Sequence, residues 1–329
     1  MKKLKPTKYT PDNKKVSFFS DVKKKNILIP LLIVLLVVIL LTGGVIAMLR
    51  GNSRVALTKV TVEHPQIPAS FDGYRILQIS DLYGKEFGDR QSRIRKLLKD
   101  VEYDMILFTG DFLSSAEDTD YWAVRDLMDC LNTEVPIYYI VGDNDYTPAN
   151  VPADNDRWKM CIKPAAKTDF MQFFEREYGA VFVYPAQRID SPEGESIYLT
   201  GIDYVKNVLN ELDFDPDTCF SICVTHKPIN YNVTRRLKDV NKRTFTEVDY
   251  DLSISGHTFG GQYRLPLLGA VYSEDEGWFP QETSLYGLSS DGDGRFNYIC
   301  GGLGTASGIR VFSTPEISLI ELKCAPAKK

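Results

Sequence analysis

The chain has 329 residues, 43% of them hydrophobic, enough for one large core plus an accessory segment. The net charge is −5, but residues 1–26 carry nine lysines against Asp12 and Asp21, which leaves residues 27–329 at −12. An acidic body argues against non-specific nucleic-acid binding, which depends on neutralising phosphates.

Residues 27–49 contain no charged side chain. As a helix they span about 34 Å, enough for a bilayer core of ~30 Å. Pro30 falls near the start, where a missing N–H does little harm. Lysines crowd the N-terminal flank, Lys23, Lys24 and Lys25 among them, and only Arg50 follows. The positive-inside rule then predicts a basic cytoplasmic tail (1–26), a single plasma-membrane span (27–49) and an extracytoplasmic domain (50–329). A cleaved signal peptide is the alternative, with Val45-Ile46-Ala47 as cleavage site; the long lysine-rich lead and long apolar run favour the anchor.

After a short polar stretch, Tyr74 to Ser80 reads as a buried strand running into Asp81. Arg90 to Asp100 has helical spacing, Ile94, Leu97 and Leu98 on one face and basic residues on the other. Met105 to Thr109 is a second strand ending at Gly110-Asp111; Tyr121 to Leu131 is a second amphipathic helix. Pro136 to Val141 is a third strand, ending at Gly142-Asp143-Asn144-Asp145. Strand, helix, strand, helix, strand is the pattern of a parallel sheet, and each strand delivers acidic residues at its carboxyl end.

Residues 147–165, with Trp158 and Cys161, read as an irregular insertion. A helix over Thr168 to Tyr178 follows, then strands over Ala180–Tyr184 and Ile197–Asp203, and Ser221 to Thr225 running into His226. Leu252 to Ile254 is a further strand, ending in Gly256-His257 and a glycine pair. Short strands and turns complete the chain, among them Phe296–Cys300 and Pro315–Leu322. His64, beside Pro65, reads as a surface or turn residue, and Gly302-Leu303-Gly304 lacks the setting of a dinucleotide fingerprint. Asn232-Val233-Thr234 is a glycosylation triplet of the kind that arises by chance. The six cysteines show no C-x-x-C spacing; free buried thiols are the expectation, with one pair such as Cys300–Cys324 left open.

Five passages in order resemble the motifs of calcineurin-like metallophosphoesterases, membrane-anchored bacterial members above all. They are Ser80-Asp81-Leu82-Tyr83-Gly84, Gly110-Asp111, Gly142-Asp143-Asn144-Asp145, Thr225-His226-Lys227-Pro228 and Gly256-His257-Thr258-Phe259-Gly260-Gly261-Gln262. The resemblance covers about Val60 to Leu322 and implies an α/β fold of the αββα sandwich type, mixed sheets flanked by helices. It also implies two metals sharing a bridging aspartate, which activate a water for in-line attack on phosphorus. Carried over residue by residue, the first metal keeps Asp81 and bridging Asp111, but its two histidines are Tyr83 and Phe259. A phenol of pKa ~10 is a poor ligand at neutral pH and a phenyl ring is none.

The second metal keeps Asp111, His226 and His257, with Asp143 where the family has asparagine. That set suits one zinc, manganese or iron ion. The family's catalytic histidine is Asn144, a hydrogen-bond donor but no general acid; Asp145, beside it, is a weaker catalytic candidate. Two functions follow as expectations. One is a single-metal phosphoester hydrolase acting on headgroup or cell-envelope phosphates. The other is a non-catalytic descendant that binds a phosphorylated ligand or partner.

Overall fold

The computed structural model describes residues 25–146, 167–184, 186–201, 218–229, 250–273, 277–280, 286–290, 294–306 and 309–326. The tail over residues 1–24, the insertion with Trp158 and Cys161, Asp203 and the Asn232–Thr234 triplet lie outside the described residues. The chain divides into two compact units, Met1–Ala47 and Met48–Lys329. The first is dominated by helix α1 (Lys25–Asn52), in which Ile29–Ile46 form an 18-residue stretch of mean hydropathy 3.0. By length and composition this helix can cross a membrane.

The second unit begins with strand β1 (Ala56–His64), continues with β2 (Arg75–Ile79), β3 (Met105–Thr109), β4 (Ile137–Ile140) and β5 (Val181–Phe182). Next come β6 (Ala186–Asp190), β7 (Ser196–Gly201), β8 (Ser221–Val224) and β9 (Leu252–Ser255). The later strands are β10 (Tyr263–Leu265), β11 (Gly269–Ser273), β12 (Gly277–Trp278), β13 (Gly287–Ser290), β14 (Phe296–Ile299) and β15 (Glu316–Cys324). Helices α2 (Ser92–Leu98), α3 (Trp122–Met128) and α4 (Asp169–Tyr178) connect the early strands.

One six-stranded sheet runs β1-β15-β2-β3-β4-β5 and a second runs β13-β14-β9-β8-β7-β6; β10, β11 and β12 form a separate ribbon. Strands β2 to β5 are parallel, as are β7, β8, β9 and β14, while β15, β6 and β13 introduce antiparallel pairs. The two sheets are held together by alternate residues. Along β3, Met105 and Leu107 face a cluster shared with Ile197, Leu199, Ile222, Val224, Leu252 and Ile254 of the other sheet. Ile106 and Phe108 face the helices. A strand buried on both faces reads as an unbroken apolar run, which is why Met105–Thr109 is so plain in the sequence.

On the helix side, Phe170 and Phe174 of α4 pack on Phe112 and Phe108, with centroids 4.9 to 5.7 Å apart. Thr168 caps α4 by accepting from the Met171 N–H at 3.2 Å, and Gly179 closes it in the left-handed region. Mixed sheets packed face to face, with helices on the outside, form the α/β sandwich expected from the sequence.

Two expectations need correction. The polar stretch after the apolar helix contains β1, which pairs in parallel with β15 over nine residues, Ala56 opposite Glu316 through His64 opposite Cys324. No local signal carries a pairing with a partner so distant in the chain. His64, the last residue of β1, is buried, its ring against Phe220 at 5.5 Å and its Nε2 3.7 Å from Asp251 Oδ1. The cysteines of the described residues are free: Cys223 and Cys300 are buried, Cys130 and Cys219 half-buried, and Cys324 exposed, so no Cys300–Cys324 bridge forms.

Candidate metal centre

The site gathers at the carboxyl ends of parallel strands from both sheets: Asp81 after β2, Asp111 after β3, Asp143 after β4, His226 after β8 and His257 after β9. This edge is where open α/β sheets leave backbone groups free to build a site. The loops are stitched together. Asp81 N–H bonds Gly110 O at 2.9 Å, Tyr83 N–H bonds Asp111 O at 3.0 Å, and Gly256 N–H bonds His226 O at 3.0 Å.

Asp81, Tyr83, Asp111, His257 and Phe259 all have φ between 52° and 70°, the left-handed region that non-glycine residues avoid. Five such residues in one small volume show that the surrounding fold holds the site under strain. Gly142 is needed for close approach, because a Cβ there would collide with the Asp111 carboxylate.

Asp111 is the hub. Its Oδ1 accepts from the Asn144 backbone N–H at 2.9 Å; its Oδ2 accepts from Asn144 Nδ2 at 3.1 Å and from the Tyr83 hydroxyl at 2.5 Å. His226 Nε2 lies 3.2 Å from the same Oδ2, and His257 Nδ1 lies 3.1 Å from His226 Nε2. His226 Nδ1 sits 2.8 Å from the Thr109 carbonyl, to which it donates, so its Nε2 is turned to the hub. Burial opposes a charge on His226, but Asp111, with Asp81 and Asp143 nearby, outweighs it and pushes the imidazole up to about 10. Burial likewise opposes the Asp111 charge, and His226, Tyr83 and Asn144 overcome it, holding that carboxyl well below the usual range.

Asp111, His226 and His257 offer three buried ligand atoms, all within 4.8 Å of one another. One carboxylate and two imidazoles are an established donor set for zinc and its first-row neighbours. The two measured separations, 3.2 and 3.1 Å, are close to the roughly 3.3 Å between ligands on one tetrahedral ion with ~2.0–2.1 Å bonds. The residues fit one ion.

The remaining candidates stand around this triad. Asp143 is at the exposed rim, its Oδ2 2.5 Å from Lys227 Nζ and its Oδ1 3.3 Å from the Tyr146 hydroxyl. Partial burial raises its pKa, and Lys227 and the two histidines more than offset that, holding it ionised. Asp81 accepts from the His257 backbone N–H at 3.1 and 3.3 Å. Burial pushes its carboxyl upward against the pull of His226.

Asp145 is buried and is not one of the converging ligand atoms; it takes up three backbone N–H groups, those of Phe112, Leu113 and Gly142, at 2.8 to 3.1 Å. Its position is that of a clamp between two loops; burial and the nearby Asp111 push it up to about 7.

Tyr83 and Phe259, the two positions where the resemblance leads one to expect first-metal histidines, have their rings 5.7 Å apart. Behind them is Arg310, fully buried, donating to the carbonyls of Gly301 at 2.6 Å and of Gly304, with its guanidinium 5.4 Å from the Phe259 ring. Sequence reasoning missed both Lys227 and Arg310. Lys227 adjoins His226, a candidate ligand, which was a signal; Arg310 stands alone in the apolar run Ile309–Phe312, a weaker one.

Fold, strand-end carboxylates and paired histidines together define a metallophosphoesterase site, and the calcineurin-like phosphoesterase family profile matches residues 74–260. The chain belongs to that family. It is 26% identical over 273 residues to the uncharacterized metallophosphoesterase YkuE of Bacillus subtilis, covering 82% of this chain and 86% of the relative. It is 23% identical over 307 residues to the UDP-2,3-diacylglucosamine pyrophosphatase LpxG of Chlamydia muridarum, covering 82% and 90%. A shorter match, 36% over 84 residues, relates it to the phosphodiesterase YaeI of Escherichia coli, 25% of this chain and 28% of the relative.

Proposed function

We propose that the chain is a membrane-anchored phosphoester hydrolase that works with one divalent ion, zinc, manganese or iron, held by Asp111, His226 and His257. The observation that carries this reading is the convergence of those three ligand atoms beside a first position filled by Tyr83 and Phe259. A bound ion would supply Lewis acidity and a water of lowered pKa.

The protein contributes the rest. The hydrogen bond from His226 to Thr109 O aims Nε2. Asn144 holds the Asp111 carboxylate with its backbone N–H and one amide hydrogen; a carboxamide can donate a hydrogen bond but cannot act as an acid for a leaving group. Lys227, held at the rim by Asp143, sets a positive charge where a phosphoryl group would enter. An asparagine in place of an acid at this position forfeits roughly 10²–10⁴-fold in rate, so substrates with good leaving groups are favoured.

The apolar helix α1, with lysines on its N-terminal side, supports a plasma-membrane anchor with the N-terminus in the cytoplasm and the larger unit outside. That placement, and a relative named as acting on UDP-2,3-diacylglucosamine, favour lipid-headgroup or cell-envelope phosphates and diphosphates as substrates. A non-catalytic reading has its own support: Tyr83, Asn144 and His226 already satisfy the Asp111 oxygens without a metal. On that reading the pocket binds a phosphorylated ligand without turnover.

Elemental mass spectrometry separates the two, using full-length chain in detergent with a tag free of histidine, exposed to zinc, manganese or iron. One ion per chain, lost in His257→Ala, with metal-dependent hydrolysis of bis(4-nitrophenyl) phosphate, is the expected result. A folded chain that takes up no ion would overturn the hydrolase reading.

A further inference from the structure

Beyond the metal centre, the chain builds a small apolar surface with no role in the chemistry described. Directly after Gly260-Gly261-Gln262, strands β10, β11 and β12 form the separate ribbon, and the segment around Val311 is laid along it. Arg264 N–H bonds Val311 O at 2.8 Å and Val311 N–H bonds Gln262 O at 3.0 Å.

Besides Leu265 at 41%, six large apolar side chains of this ribbon and its added segment are at least 48% exposed: Leu267, Leu268, Trp278, Phe279, Ile309 and Phe312. Ile309, at 48%, is the least exposed of them. Scattered apolar residues on a surface need no explanation, but six on one ribbon and its added segment do. Three of the six, Leu267, Phe279 and Phe312, have φ of 70°, 58° and 51°. Glycine or asparagine would adopt that backbone without strain, so a bulky apolar side chain is kept there against the local preference.

The place of the ribbon in the chain points to what covers it. Asn52, the last residue of α1, is hydrogen-bonded on both sides of its amide to Arg310, Nδ2 to the Arg310 carbonyl at 2.6 Å and Oδ1 from the Arg310 N–H at 2.8 Å. Arg310 lies between Ile309 and Phe312. Only six residues of chain separate Asn52 from Ile46, the end of the apolar stretch, so the ribbon is tethered close to the end of that stretch.

We propose that this ribbon docks into the lipid bilayer that α1 spans, with Leu267 and Leu268 at its tip and Trp278 and Phe279 at the headgroup level. Aromatic rings are favoured at that depth, apolar faces deeper. Because His257 precedes the ribbon by only six residues, docking would hold the metal centre at the membrane surface, within reach of headgroup phosphates. The proposal rests on reading α1 as a span, one part of the function proposed above; it does not depend on turnover.

The test uses full-length chain in proteoliposomes at low protein-to-lipid ratio. Trp278 is left as the sole tryptophan by Trp122→Phe and Trp158→Phe, the chain having three. Emission is recorded with lipids brominated along the acyl chain and, separately, with aqueous iodide. Quenching by bromolipid, protection from iodide, and loss of both in Leu267→Glu/Leu268→Glu are expected; both leucines are so exposed that the change should leave folding intact. Extraction by alkaline carbonate is the companion measurement. A chain released by carbonate would sink the span reading and this proposal with it. A chain retained in the membrane whose Trp278 is open to iodide and untouched by bromolipid overturns the docking alone. Protection from iodide that appears only at high protein density would assign the ribbon to a second copy, and would also overturn it.

Discussion

Replacing Tyr83 and Phe259 together by histidine tests whether these two side chains alone closed the first metal position. Both stand in the left-handed backbone of the site loops, and Asp81 and Asp111 remain beside them. In the metal-free double variant two losses follow. The Tyr83 hydroxyl no longer donates to the charged Asp111 carboxylate, a bond worth ~1.5–3 kcal/mol. The Phe259 ring, 3% exposed and packed on Tyr83 and Arg310, gives way to a smaller polar one, at ~1–2 kcal/mol.

A total of roughly 3–5 kcal/mol lowers Tm by on the order of 10 °C at about 2–4 °C per kcal/mol. Metal at 100 times Kd returns about 2.7 kcal/mol, so more than half of the loss should be recovered on adding zinc or manganese. Differential scanning calorimetry with and without metal, and metal content by mass spectrometry, give the answer. Two ions per chain with a metal-dependent gain in Tm beyond that of the parent are expected. A folded double variant that still holds one ion, with no added gain, would refute the reasoning and point to the buried Arg310 cation as what keeps a second ion out.

Two further predictions concern the triad and its rim. His226, pushed up to about 10 by its carboxylate neighbours, keeps a proton in the metal-free chain at neutral pH. Its ion pair with Asp111 therefore contributes stability below the unfolded pKa of about 6.5, and loses it as pH rises through the folded value. Metal binding near pH 7.5 should then release about one proton, read by calorimetry in buffers of different ionisation enthalpy, and heat independent of buffer would contradict it. Lys227→Met should change stability by less than about 1 kcal/mol, since its pair with Asp143 is solvent-screened. It frees Asp143 towards the ion, so metal affinity by chelator competition should rise, and unchanged affinity would mean Asp143 does not reach the triad.

Much of this protein was legible in its residue order because the signals are local. An unbroken apolar run such as Met105–Thr109 fits a strand buried on both faces, and the runs of β2, β3 and β4 each lead into an aspartate, behind a glycine after β3 and β4. That Tyr83 and Phe259 stand where the resemblance leads one to expect histidines is read from the sequence alone, because motif positions are counted along the chain. Tertiary structure decided what crosses the chain. The pairing of β1 with β15 and the burial of His64 arise from contacts some 250 residues apart that leave no periodic trace.

The division of labour among the carboxylates was likewise settled only in three dimensions. Asp111, Asp143 and Asp145 all lie within three residues of a strand-end glycine and look alike in sequence. Yet one meets two imidazoles, one meets Lys227, and one is consumed by three backbone N–H groups. A carboxylate's role depends on the dipoles and charges within about 4 Å of it, and those come from whichever loops the two sheets bring to the same edge.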